Sequence, residues 1–213
     1  DTKNPGVNVS SISEVSGSEY TYVFGSTIYY NTVSSGSFMV TSQSSDAQSG
    51  VQKINFEDTV STGGDDTSNP YTMTYNFDTS DTYNTSALVT AYDNAGNTNI
   101  TTFTVTRDIT APSGGSVSYT DGYYSEASVS VTFSDGTDSE SGINASNTRI
   151  LRQSATLATG TCGAFGAWSQ IGSLDPSSPI TDTSVSSGNC YNYTYQVHDN
   201  VLNEKNYTTS SIA

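Results

Sequence analysis

The sequence predicts an all-β chain built as two tandem sandwich domains, and three observations carry that prediction. Helix formers are scarce, because Ser, Thr, Asn, Gly and Tyr are abundant while Leu, Lys, Glu and Ala are sparse. Apolar residues alternate with polar ones at period two, which lays one greasy face of a strand on a core. The chain also repeats itself at a distance that suits one sandwich domain per copy.

The repeat rests on three matches in the same order. DTKNP from Asp1 to Pro5 returns as DITAP from Asp108 to Pro112, an offset of 107. DAQSGV from Asp46 to Val51 resembles DSESGI from Asp138 to Ile143. AYDNAGNTNITTFTV from Ala91 to Val105 aligns with VHDNVLNEKNYTTSS from Val197 to Ser211, so that Asp93, Asn94 and Asn97 pair with Asp199, Asn200 and Asn203. The 213 residues therefore divide into domains 1–107 and 108–213, each long enough to own a core.

In chain order, the first half offers strands at Val7–Ile12, Ser37–Ser42, Val51–Phe56, Tyr71–Phe77, Ala87–Tyr92 and Ile100–Thr106. Alternation is clearest at Tyr71, Met73, Tyr75 and Phe77. The second half offers Ser116–Thr120, Val129–Phe133, Thr148–Gln153, Tyr191–Val197 and Tyr207–Ile212. Gly, Asp, Asn and Pro in STGGDDTSNP, SDGTDSESG and LDPSSP reverse the chain between them. No stretch reads as a helix. About seven short strands per copy is what an immunoglobulin-like Greek-key sandwich requires. The pairs Tyr29–Tyr30 and Tyr123–Tyr124 break the alternation, so each is expected to put one ring inside and one outside.

Charge excludes some partners. Six basic residues against 21 acidic ones give −15, which repels phosphate backbones and anionic membrane surfaces, so nucleic-acid binding is not expected. No apolar run approaches the roughly 18 residues of a membrane span, so no membrane insertion is expected, and the opening DTKNPG carries no secretory leader, as in a processed chain. The two cysteines, Cys162 and Cys190, read as one disulfide formed in an oxidising compartment, the alternative being two separate buried thiols. Six sequons, at Asn8, Asn84, Asn99, Asn144, Asn192 and Asn206, suit a glycosylated surface protein, although a chain rich in Asn and Thr produces such triplets by composition alone.

These signatures resemble the bacterial immunoglobulin-like (Big-type) repeats strung along large secreted and cell-surface proteins, in which a DxTAP-like linker opens a domain and a DNAGN-like reversal closes it. The second half resembles one subgroup in which TLATGTCGAFGAWSQI (Thr156 to Ile171) and SGNCYNYTYQVHDN (Ser187 to Asn200) carry the cysteines. Lys3 and Asn4 replace the usual Thr-Ala before Pro5, and Val201 to Asn203 lacks the glycine found at Gly96. The resemblance implies a spacer, adhesive or fibre-forming role outside the cell and carries no catalytic residue to this chain.

Two chemistries compete at the recurring aspartates. A carboxylate beside Asn and Gly in a tight reversal caps its own turn, and it also suits a hard oxygen-seeking cation. Asp46, Asp93, Asp108, Asp138 and Asp199, together with Asp1, are thus turn formers or calcium ligands. Catalysis finds no support: His198 is the single histidine, no nucleophile motif is present, and Asp65–Asp66 and Asp135, Asp138 and Glu140 read as solvated turns. No cofactor other than calcium is indicated. The leading expectation is a structural unit of a stalk, adhesin or fibre that associates head to tail or with neighbouring repeats. The alternative is an accessory module that recognises surface glycans through exposed aromatics such as Trp168.

Overall fold

A computed structural model describes all 213 residues. Seventeen strands and two single 3-10 turns, Ser18–Tyr20 and Ala145–Asn147, make up the regular structure. The chain is all β. It forms two compact units, Asp1–Ile109 with Asn200–Leu202, and Thr110–Asp199 with Asn203–Ala213.

The first unit is a sandwich of two sheets. One holds β1 (Gly6–Ser16), β4 (Gly36–Ser45) and β7 (Tyr71–Phe77), with β4 in the middle and all pairs antiparallel. The other runs β2 (Thr21–Phe24), β3 (Thr27–Tyr30), β9 (Thr98–Arg107), β8 (Thr85–Asp93), β5 (Val51–Phe56) and β6 (Gly64–Asp66). Only β3 and β9 pair in parallel, from Thr27 beside Thr104 to Tyr30 beside Arg107. The chain crosses between the sheets at β1–β2, β3–β4, β4–β5, β6–β7 and β7–β8, the wiring of an immunoglobulin-like sandwich.

Period-two alternation supplies the core from both sheets. Phe38, Val40 and Tyr75 face Ile54, Phe56, Val89, Phe103 and Val105, and all are essentially inaccessible to solvent. Rings interlock at 5.3 Å for Phe38–Tyr75, 5.9 Å for Tyr75–Phe103 and 5.1 Å for Tyr30–Phe77. Burying each such ring removes well over 100 Å² from water, so these residues dominate the folding energy of the unit.

The second unit repeats the plan with shorter strands. β10 (Ser116–Ser118), β11 (Val129–Ser134) and β15 (Ile180–Asp182) form one sheet. β13 (Thr161–Cys162), β12 (Arg149–Ala158), β16 (Asn189–His198) and β17 (Glu204–Thr208) form the other, and β14 (Ser169–Ile171) also pairs with β12. Val129, Val131 and Phe133 meet Ile150, Tyr193, Tyr195 and Val197 across the core, with ring contacts at 4.4 Å for Phe133–Tyr195 and 5.0 Å for Tyr119–Tyr193.

The disulfide joins Cys162 to Cys190 with Cα atoms 5.9 Å apart, so the two-thiol alternative falls. Both cysteines pair with β12, Cys162 beside Leu157 and Cys190 beside Ala155, so the bond staples the β12–β13 hairpin to the central strand. Closing this 28-residue separation restricts the unfolded chain by about 3.5 kcal/mol. The tyrosine pairs split as expected in the first unit, with Tyr30 fully buried and Tyr29 partly exposed. In the second, Tyr123 is 83% exposed and Tyr124 packs at the edge of the core.

Candidate functional site

The recurring aspartates are built into turns by the same hydrogen bonds in both units. Asp93 ends β8; its Oδ1 accepts from Ala95 N at 2.9 Å and Asn97 N at 2.7 Å, and its Oδ2 from Asn97 Nδ2 at 2.7 Å. Asp199 follows β16 and accepts from Asn203 N at 2.9 Å and Asn203 Nδ2 at 2.7 Å. Both carboxylates lie in residues that are essentially buried. Burial pushes the Asp93 carboxyl up, but the bonds from Asn97 and Ala95 outweigh it, and the group ends below the ordinary carboxylate range.

Asp46 and Asp138 form the second repeated pair. Asp46 Oδ1 accepts from Gln48, Ser49 and Gly50 N at 3.1, 2.7 and 2.9 Å, and Asp138 Oδ1 from Glu140 and Gly142 N at 3.0 and 2.8 Å. Gly50 and Gly142 close these turns at φ 79° and 80°, where a side chain would be strained. The Gly50 amide, ahead of its neighbours, holds Asp46 below the usual carboxylate value.

In the first unit these turns converge. Asp1 Oδ2 accepts from Ser49 N and Oγ, and Asn94 Nδ2 donates to Ser49 O at 2.9 Å, tying three segments together. One carboxylate oxygen from each of Asp1, Asp46 and Asp93 lies within 4.8 Å of the others. Every hydrogen bond to the Asp46 carboxylate falls on Oδ1, which leaves Oδ2 open. Three oxygens from separate segments, one with lone pairs to spare, are a donor set that suits a hard divalent cation such as calcium. Asp138 and Asp199 likewise bring carboxylate oxygens within 4.8 Å in the second unit, and Asp108 is buried at the end of the first.

The remaining sequence candidates have structural roles. Asp65 pairs with Lys53 at 2.7 Å, Asp66 caps Ser68 and Thr72 N, and Asp135 accepts from Tyr195 Oη at 2.6 Å. His198 is buried, 9% exposed, with Nδ1 at 3.2 Å from Asn147 O and Nε2 at 3.3 Å from Glu204. Among the sequons, Asn8, Asn84, Asn99 and Asn206 are exposed and Asn144 and Asn192 partly buried. Asn99 and Asn206 already spend Nδ2 on Pro5 O and Glu204, and Asn192 Oδ1 accepts from Tyr119 Oη.

Sequence reasoning missed a buried charge network. Tyr193 Oη donates to Asp182 Oδ2 at 2.9 Å, and Arg152 Nη1 donates to the same oxygen at 2.7 Å. The Arg152 guanidinium also lies over the Tyr191 ring at 5.1 Å. Burial pushes the Asp182 carboxyl up, yet the bonds from Ser184, Arg152 and Tyr193 bring it below its ordinary value. Burial, then the Asp182 charge, pushes the Tyr193 hydroxyl far up, so it remains a donor.

The second unit also holds an apolar cavity of about 500 Å³. It is lined by the buried Val129, Cys190 and Tyr191, by the partly buried Cys162, Leu157 and Val185, and by the largely exposed segment from Asp121 to Ala127. No sequence signal marked it.

No protein-family model and no curated protein matches the chain. Among solved structures it is similar to the fibronectin(III)-like modules of Clostridium thermocellum CbhA, at 14% identity and TM-score 0.40, over 95% of this chain and 92% of that one. It is also similar to dimeric latent PorU from Porphyromonas gingivalis, at 14% identity and TM-score 0.26, over 96% of this chain but 20% of that one. The fold stands on the strand order of the chain itself: all β, immunoglobulin-like, one sandwich per unit.

Proposed function

We propose that the chain is a non-catalytic extracellular structural module of the bacterial immunoglobulin-like type, a repeat unit or subunit of a surface stalk, adhesin or fibre. The observation that carries this reading is the duplicated turn: Asp93 with Asn97, and Asp199 with Asn203, make the same two bonds at the same corner of two separate sandwiches. Carboxylates spent in this way fix loops and are not free for proton transfer. The disulfide fits an oxidising compartment.

An edge supports assembly: β1, 11 residues long, pairs only with β4, and pairing of its other side with another chain is the route this reading takes. Electron microscopy of the native chain is expected to show head-to-tail polymers, and a chain lacking residues 1–12 only dispersed monomers. Fibres that persist after the deletion reject exchange of this strand. A glycan array with strong hits, accompanied by sugar-dependent fluorescence of Trp168, which is 41% exposed, would favour carbohydrate recognition instead.

A second reading concerns calcium. The Asp1–Asp46–Asp93 oxygens, with Asp46 Oδ2 open, are the donors that would hold the ion. When bound, it supplies positive charge that cancels the repulsion among three carboxylates and locks their segments together.

A further inference from the structure

We propose that the cavity of the second unit is a binding site for a small aromatic ring carrying a cationic, not an anionic, substituent. The first unit shows what belongs at this end of the fold. There Tyr30 and Phe77, both buried, pack at 5.1 Å with their ring planes tilted by 56°. In the second unit Gly122, whose N donates to Ile212 O at 2.8 Å, stands beside the last segment of its sheet as Tyr30 stands beside Arg107. β15, which corresponds to β7, stops at Asp182 and is followed by Thr183 and Ser184. Neither Gly122 nor Thr183 nor Ser184 supplies a ring there, and about 500 Å³ of largely apolar space remains, within the size range of ligand pockets.

The lining specifies the chemistry. Polar groups of the lining bond to one another: Ser186 N donates to Tyr191 Oη at 2.8 Å, and Asn189 Nδ2 to Ser186 Oγ at 3.0 Å. A ring packs there against Val129, the disulfide and Tyr191, which offer it apolar and aromatic surface. The exposed segment carries the carboxylates of Asp121 and Glu126, and no Lys or Arg lines the site. An ammonium group placed there meets complementary charge, and a carboxylate meets repulsion. Tyr123, 83% exposed on the same segment, supplies a ring to cover the ligand.

The test is an amide ¹H–¹⁵N NMR titration of the whole chain with 2-phenylethylamine, 3-phenylpropanoate and a neutral disaccharide. The amine is expected to move the amides of Leu157, Cys190 and Tyr191 saturably, with Kd on the order of 1 mM for so small a ligand. The propanoate is expected to bind at least about 5-fold more weakly, and the exposed double variant D121N/E126Q to bring the two within about 2-fold of each other. Val185→Trp, which fills the space, abolishes the shifts. Should that variant lose its dispersed spectrum, the charge variant decides alone. No saturable shift with the amine, equal binding of the propanoate by the native chain, or tighter binding of the disaccharide at these amides overturns the proposal.

Discussion

Leu202 holds with φ 66° the position that Gly96 holds with φ 92° one repeat earlier, each placed between the turn aspartate and its partner asparagine. The Asp–Asn hydrogen bonds survive the loss of glycine, so the backbone is forced into the left-handed region by the bonds around it. A residue with a β-carbon held there costs about 1 kcal/mol. Leu202→Gly is therefore expected to stabilise the chain by about 0.5–1 kcal/mol. Gly96→Leu, where a Cβ meets nothing within 4 Å, is expected to cost about 1–2 kcal/mol through conformation alone. Chemical denaturation of both variants checks the pair, and opposite signs are the prediction.

The Arg152–Asp182–Tyr193 network predicts an acid-sensitive second unit. The native Asp182 carboxyl lies below its ordinary value, so it contributes stability above about pH 4 that is lost as pH falls through the lower, native value. Asp182→Asn is expected to flatten the stability profile below about pH 4. Arg152→Ala, which leaves Asp182 buried without its cation, is expected to cost about 3 kcal/mol at pH 7. Denaturation midpoints across pH 2–7 give both outcomes.

Calcium at Asp1, Asp46 and Asp93 predicts a ligand-dependent melting temperature. Free ion at about 100 times its Kd stabilises the folded state by about 2.7 kcal/mol. Adding millimolar calcium to chelator-treated protein is expected to raise the melting temperature, and Asp46→Asn to remove most of the rise. A melting temperature indifferent to both chelator and calcium rejects the cation reading and leaves these carboxylates as turn caps.

Legibility in the sequence followed the length and independence of each signal. Tyr71–Phe77 is read to the residue, because alternation on a half-buried sheet leaves one register, and so is Val51–Phe56, although its pairing slips between Val51 and Lys53. β2 and β3 escaped notice because Tyr22, Tyr29 and Tyr30 break the alternation, and β6, β13, β14 and β15 because two or three residues hold no period. The aspartate turns were legible through repetition, and their bonds identify the turn chemistry directly. Arg152 and Asp182 gave no sign, being 30 residues apart with no motif to join them. The cavity is lined by separate segments around Gly122, Val129, Leu157, Val185 and Tyr191 that share no motif.

The central claim is that two self-sufficient sandwiches share the chain and only the second is stapled. Scanning calorimetry with and without a reductant tests it most directly. Two transitions are predicted, of which one keeps its position while the other falls by more than about 10 °C once the Cys162–Cys190 bond is reduced. A single transition that moves as a whole on reduction would contradict the account.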